Sequence, residues 1–199
     1  MILPEKILLE YNATLKSFKK DEYIFYEDDS PDYYYQIKDG SVKMSSYSSN
    51  GQEFIQGIFK SGQSFGEPPL FGNFSYPNNA ISMEDSSIYR LPSTGFWDLL
   101  NKNFEIHKKF NKVLSERLRY KSIILKEISS YCPDHIILTL INYIRDNSPN
   151  KNDIPFLVPN TRQQLADMSG LRVETVIRNI KKLQSEGKLL IKEHKIYLQ

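Results

Sequence analysis

Residues 161–183, TRQQLADMSGLRVETVIRNIKKL, are the stretch from which the rest of the chain can be read outward. Thr161 followed three positions later by Gln164 predicts a capping box, with each side chain satisfying an orphan amide at a helix start. Leu165, Ala166 and Met168 give that first helix a small inner face, and Ser169-Gly170 ends it, because Gly accepts the left-handed backbone of a sharp turn. A second helix is expected to begin near Val173. Its apolar residues Val173, Val176, Ile177, Ile180 and Leu183 recur at helical spacing and are expected to pack inward. Glu174, Arg178 and Lys181 fall on the opposite side, flanked by Thr175, Asn179 and Lys182. Gly187 closes the helix, and KLLIKEHKIYLQ (188–199) alternates about a polar centre at Lys192–Lys195, as a two-stranded wing would.

Periodicity alone fits any helical hairpin with a solvated charged face. The residue types favour a helix-turn-helix whose second helix enters the DNA major groove. Arg can fork onto guanine, Glu can accept from the cytosine amino group, and Thr, Gln and Lys suit phosphates. The stretch resembles the DNA-binding module of the Crp-Fnr family of bacterial regulators, with its TRxxLA…G…ETV..R pattern. That resemblance implies that Glu174 and Arg178 read bases and that Arg162, Gln163 and Thr175 contact phosphates; Lys181 joins the phosphate set. Val173 stands where the catabolite-activator branch has a further base-reading Arg, and Arg172 where a Ser normally caps the helix. The operator of that branch therefore does not carry over.

Upstream, the texture is different. From Lys19 to Leu91, short runs rich in Tyr, Phe and Ile (EYIFYE, YYYQIK, SVKMSSY, EFIQGIF, SIYRL) alternate with turn signals at about ten-residue intervals. This predicts an antiparallel sandwich or barrel. Asp39-Gly40 and Asn50-Gly51 are the strongest hairpin cues, with further turns at Ser61-Gly62 and Pro77-Asn78-Asn79. The pairs Tyr34-Tyr35, Phe54-Ile55 and Ile58-Phe59 are expected in core and wall packing. Within this region GQSFGEPPLFGNFSYPNNA (62–80) is too constrained for filler. Such a loop can present backbone amides and one carboxylate to a ligand, or serve as a rigid corner. It resembles the effector cassette of the same family, G-x-x-F-G-E…P-R-S/T-A in members that bind cyclic nucleotides. Gly66 and Glu67 match the Gly of close approach and the ribose-holding Glu. Asn78 and Asn79 replace the phosphate-binding Arg and Ser/Thr, and a neutral amide supplies no charge for a phosphate. Cyclic AMP is therefore not the expected effector, and what the β-region recognises, if anything, is open.

A short helix is expected within residues 2–15, with Leu3, Ile7 and Leu8 on one side. Residues 93–131 read as a long helical stretch broken near Asn101–Asn103. Ile106, Phe110, Val113, Tyr120 and Ile124 mark one apolar side; Leu114, Leu118, Leu125 and Ile128 mark another. A helix apolar on two sides needs two partners. Its own β-region and the same helix of a second subunit are one pairing; a helix wholly inside a monomer is the other. Another helix follows Pro133-Asp134, with Ile136, Leu140, Tyr143 and Ile144 on one face, then a linker with short-strand character over 147–160. The expected class is α+β: a jelly-roll-like antiparallel β-roll over 1–100, a dimerisation helix over 101–132, and a winged helix-turn-helix over 133–199.

Charge follows the same division. Residues 1–100 hold 8 Lys/Arg against 14 Asp/Glu, a net of −6, whereas residues 101–160 (10 against 6) and 161–199 (8 against 4) are each +4. A basic part joined to an acidic one suits a nucleic-acid binder with an attached sensor. The single Cys132 excludes an internal disulfide framework, argues against a four-cysteine iron–sulfur cluster, and reads as a small hydrophobe at a bend before Pro133. No signal peptide and no apolar run of about 18 residues is visible, so a cytoplasmic protein without a membrane span is expected. His107, His135 and His194 are scattered and form no HxH or HExxH spacing. No Walker loop or nucleophile motif occurs either, so neither enzyme activity nor a metal site is expected. The partners expected are double-stranded DNA and a second copy of the chain, with RNA polymerase a further candidate. The rival reading is a β-roll sensor or scaffold whose helix-turn-helix no longer reads DNA.

Overall fold

The computed structural model describes residues 2–49, 51–129 and 132–199. The chain divides into two compact units, Met1–Ser115 and Glu116–Gln199.

The first unit begins with α1 (Glu5–Glu10), followed by β1 (Thr14–Phe18), β2 (Tyr23–Phe25), β3 (Tyr33–Asp39), β4 (Ser41–Tyr47), β5 (Glu53–Lys60) and β6 (Ser64–Phe65). After α2 (Glu67–Gly72) come β7 (Asn79–Ser82), β8 (Ser86–Pro92), α3 (Ser93–Lys102) and α4 (Phe104–Ser129), the last crossing into the second unit. Two four-stranded antiparallel sheets result, ordered β1-β8-β3-β6 and β2-β7-β4-β5. This is the expected β-roll.

Alternation along β3 assigns each residue to a layer, because successive side chains point to opposite faces. Tyr35 and Ile37 join Phe18, Phe25, Val42, Phe65, Tyr76 and Ile88 in one apolar core. Tyr34 joins Leu3, Leu8, Tyr89, Leu91, Phe96, Leu99 and Phe110 in another, which gathers residues of α1, α3 and α4. Gln36, fully buried, shares Tyr34's face: its Oε1 accepts from the Tyr34 hydroxyl (2.8 Å) and the Leu3 N–H (2.9 Å), and its Nε2 donates to the Leu3 carbonyl (2.8 Å). The N-terminal segment is held to the sheet in this way.

Asp39-Gly40 is not a hairpin. It joins β3 to β4, which lie in different sheets, and so turns the corner of the roll. Gly40 has φ +95°, and a Cβ there would lie 2.1 Å from Ser86 Oγ. Ser61-Gly62 likewise joins β5 to β6 across the two sheets. The residues between β4 and β5 do form a hairpin, with Tyr47 opposite Glu53; Asn50 lies outside the described residues. Phe54, expected in the core, is 39% exposed on β5, whereas its neighbour Ile55 is buried.

The helical stretch breaks where expected, at Asn103 between α3 and α4. Ile106 and Phe110 are buried in the first unit. Tyr120 packs instead on Tyr143, ring to ring at 3.7 Å. Leu118 and Leu125 are 66% and 68% exposed, while the side chains of Ile124 and Ile128 lie outside the described residues.

The second unit continues with α5 (Pro133–Asp146), β9 (Phe156–Leu157), α6 (Arg162–Ser169), α7 (Val173–Ser185), β10 (Leu189–Lys192) and β11 (Lys195–Leu198). On α5 the buried residues are Ile136, Ile137, Leu140 and Ile141, so the inner face is turned from the expected one and Tyr143 and Ile144 sit at its edge. Cys132 is exposed at the start of α5, not a buried hydrophobe. The wing pairs β10 with β11, and β9 adds a third strand. Glu193 and His194 both have positive φ at its tip (49° and 62°), as a two-residue hairpin loop of right-handed twist requires.

Candidate nucleic-acid interface

The capping box of α6 is complete. Thr161 Oγ1 accepts from Gln164 N–H at 3.1 Å and Gln164 Oε1 accepts from Thr161 N–H at 2.9 Å. Every residue from Leu165 to Ser169 is buried, and Gly170, with φ 69°, closes the helix by donating to Ala166 O. A three-residue turn leads into α7, whose N-cap Arg172 makes no side-chain capping bond.

On α7 the stripe Val176, Ile180 and Leu183 is buried. Val173 and Ile177, expected inside, stay partly exposed. The buried three span about 60° of the helix at about 100° per residue, and Val173 and Ile177 fall beyond one edge of that stripe. Glu174, Arg178 and Lys181 are exposed, and among the described residues none of their side chains takes an intramolecular hydrogen bond or ion pair. Spaced i, i+4 and i+7, they form one row on the solvent side. Thr175 is half-buried, and its carbonyl accepts from Asn179 Nδ2 at 2.8 Å.

Two of the expected phosphate-contact residues, Arg162 and Gln163, and the flanking Lys182 are already engaged. The half-buried Arg162 donates to the His194 carbonyl at the wing tip (3.0 Å). Gln163 Nε2 donates to Asp167 Oδ1 at 2.7 Å. Lys182 Nζ donates to Asp134 Oδ2 at 2.6 Å, tying α7 to α5. The ammonium holds the Asp134 carboxyl below the usual carboxylate range, and the same pair raises Lys182. A depressed carboxyl pKa stabilises above its unfolded value and loses that contribution as pH falls through the folded one. Asp134→Asn is thus expected to flatten the acid limb of this unit's stability-versus-pH curve, read by urea unfolding at stepped pH, with little change near neutrality because the pair is partly exposed.

In the β-roll, Gly66 takes φ +75° at the start of α2. A Cβ there would meet the Phe25 and Tyr76 rings, both at 3.2 Å. Those rings stack at 3.7 Å between centroids, and both are buried. Glu67 is fully buried beside Gly66. Burial pushes the Tyr76 phenol far up and Tyr35 up to about 12. Asn78 is buried, and its Oδ1 accepts no hydrogen bond among the described residues. Asn79 Oδ1 accepts from Glu27 N–H (3.0 Å) and its Nδ2 donates to Ser45 O (3.4 Å), so it ties β7 to β4 and to the backbone just after β2. Arg90, a cation of this unit, lies over the Tyr33 ring at 4.1 Å. A cyclic nucleotide needs a charged phosphate clamp. At the clamp positions Asn78 and Asn79 offer neutral amides, which supply no charge for a phosphate, so these two residues do not fit it.

Two family models match the chain: the cyclic nucleotide-binding domain over residues 15–103 and the Crp-like helix-turn-helix domain over residues 135–199. The chain belongs to the Crp-Fnr family. Within it, similarity extends to the transcriptional activator protein Anr of Pseudomonas protegens (25% identical over 182 residues, 90% of this chain and 74% of that protein). It also extends to the fumarate and nitrate reduction regulatory protein of Escherichia coli K12 (22% over 179 residues, 89% and 71%). Among solved structures, the c-di-GMP-responsive global regulator CLP of Xanthomonas campestris shares the fold, with TM-score 0.77 and 18% identity over 98% of this chain and 99% of that one. Like other members of the Crp-Fnr family, the chain is a transcription regulator with a helix-turn-helix DNA-binding domain. No helix among the described residues is long and apolar enough to cross a membrane. Two features of these sites are not visible in the residue pattern: the bond from Arg162 to the wing tip, and the packing of Phe25 and Tyr76 against Gly66. For the first, the Lys-Glu-His-Lys centre of the wing is the available signal; for the second, it is Tyr76 within residues 62–80.

Proposed function

We propose that the protein is a homodimeric regulator that reads a pseudo-palindromic operator through Glu174 and Arg178. Arg162, Gln163, Thr175 and Lys181 position the backbone, and α4 forms the interface between copies. In this organisation residues 1–100 are the β-roll, 101–132 the dimerisation helix and 133–199 the reading head, placing two copies of α7 about 34 Å apart in successive major grooves. The observation that carries the reading is the unengaged solvent row Glu174, Arg178 and Lys181 on a helix whose other side is a buried stripe. The protein is cytoplasmic and not an enzyme, and RNA polymerase is the further partner through which a bound dimer acts.

Selection of bound duplexes from random DNA tests this. A palindromic consensus is expected, with affinity falling steeply as salt rises, because each phosphate contact releases counterions. Arg178→Ala is expected to cost about 1–3 kcal/mol per half-site and to relax preference at one base pair of it. An unchanged consensus would remove Arg178 from the base readers.

The effector is not cyclic AMP; it is another ligand or none. Without an Arg on the phosphate, and with rings packed against Gly66, calorimetric titration with cyclic AMP or cyclic GMP is expected to show no saturable binding up to about 1 mM. Saturation at micromolar concentrations would overturn this.

A further inference from the structure

Helical spacing gives α7 five apolar residues, yet its own unit buries three of them completely. Ile177 is left partly in water. At about 100° per residue it stands roughly 90° from the centre of the buried stripe and about 60° from Glu174. Residues three and four apart are neighbours on a helix surface. Ile177 therefore lies beside Glu174 and Lys181, and Arg178 and Thr175 lie farther round, toward the opposite edge. Val173 is turned closer to the buried stripe.

A side chain at the border of the exposed row meets whatever that row meets. Ile177 has no donor, so it gives a phosphate nothing. The base edges of the major groove offer it an apolar partner, the C5 methyl of thymine, and covering that methyl removes apolar surface of both groups from water. We infer that Ile177 is a specificity-determining residue that packs on the methyl group of a thymine next to the base pair read by Glu174. The inference rests on the proposed reading of DNA by α7.

The test uses the full chain and the half-site selected from random duplexes. The pair read by Glu174 is located first, as the position whose preference Glu174→Ala relaxes. Each thymine is then replaced singly by deoxyuridine, which keeps base pairing and loses only the methyl. One thymine adjacent to that pair is expected to show about fourfold weaker binding on replacement, and roughly 15-fold when both half-sites carry it. In Ile177→Ser the penalty at that thymine is expected to vanish while penalties elsewhere persist, and Ile177→Val is expected to keep part of it. Tight, sequence-specific binding without such a thymine would overturn the inference and leave the DNA reading standing, as would a deoxyuridine penalty unaltered by Ile177→Ser. Failure to select any duplex would overturn both.

Discussion

Replacing Leu118 and Leu125 together by Glu is expected to yield a monomer in sedimentation and to weaken operator binding about 100- to 10,000-fold. Both leucines stand mostly in water on α4, seven residues apart, with Ile123 at the same helix's surface also 36% exposed. A leucine taken from water contributes about 1.5–3 kcal/mol, and a two-fold interface counts each one twice. Four carboxylates along the same seam would oppose their own burial and one another. A monomer retains one reading head and loses the effective concentration that delivers the second half-site. The helix itself is expected to persist, since Glu is a good helix former and neither position is buried. An unchanged sedimentation coefficient would move the interface elsewhere, and a monomer with undiminished operator affinity would dissociate DNA reading from dimerisation.

Phe96→Ala is expected to destabilise the first unit by about 3–5 kcal/mol. Phe96 is fully buried, stacks on Tyr34 at 5.0 Å, and meets Phe110 edge-on at 5.2 Å and Phe71 at 5.6 Å. Its removal leaves these aromatic rings facing a void they can collapse into only partly. Trp97, the chain's sole tryptophan, packs against Phe71 and Phe96, so its fluorescence reports this unit's unfolding in urea. Phe96→Leu, closer in volume, is expected to cost much less. A shift under about 1 kcal/mol for the alanine variant would mean that the aromatic layer is not a cohesive core.

Legibility in the sequence followed the range of each interaction. Thr161, Gln164 and Gly170 act on backbone within a few residues of themselves, so both helices of the reading head could be placed from the chain alone. The break at Asn103 and the wing's Lys192–Lys195 centre were local in the same sense. Asp39-Gly40 shows the limit: the dipeptide reports a backbone that must take positive φ, and a corner between sheets demands this as a hairpin does. Which strands pair is decided by Ser86 and the rest of β8, more than forty residues away. Val173 and Ile177 carry the inward period, but the extent of the core, which periodicity does not encode, stops short of them. The β-roll cassette was visible as Gly66, Glu67, Asn78 and Asn79. Its filling was not, because Phe25 is 41 residues from Gly66, and Tyr76, although inside the cassette, reads as an ordinary core aromatic. Arg162 matched a phosphate-contact pattern, whereas its bond to the wing depends on a tertiary approach of residues 32 apart.

The stitch made by Asn79 bears on protein engineering. One amide fastens the backbone after β2 and the carbonyl of Ser45 to the first residue of β7, next door to the site where a phosphate clamp would have to be installed. Grafting an arginine at position 78 would therefore add charge beside Gly66, whose open side the Phe25 and Tyr76 rings already face. A synthetic switch responsive to a nucleotide needs two coordinated edits, the first clearing the Phe25–Tyr76 stack and the second supplying the cation. The seam at Asn79 is best left intact, since cutting it removes two hydrogen bonds that fix the backbone after β2 and the carbonyl of Ser45 to β7.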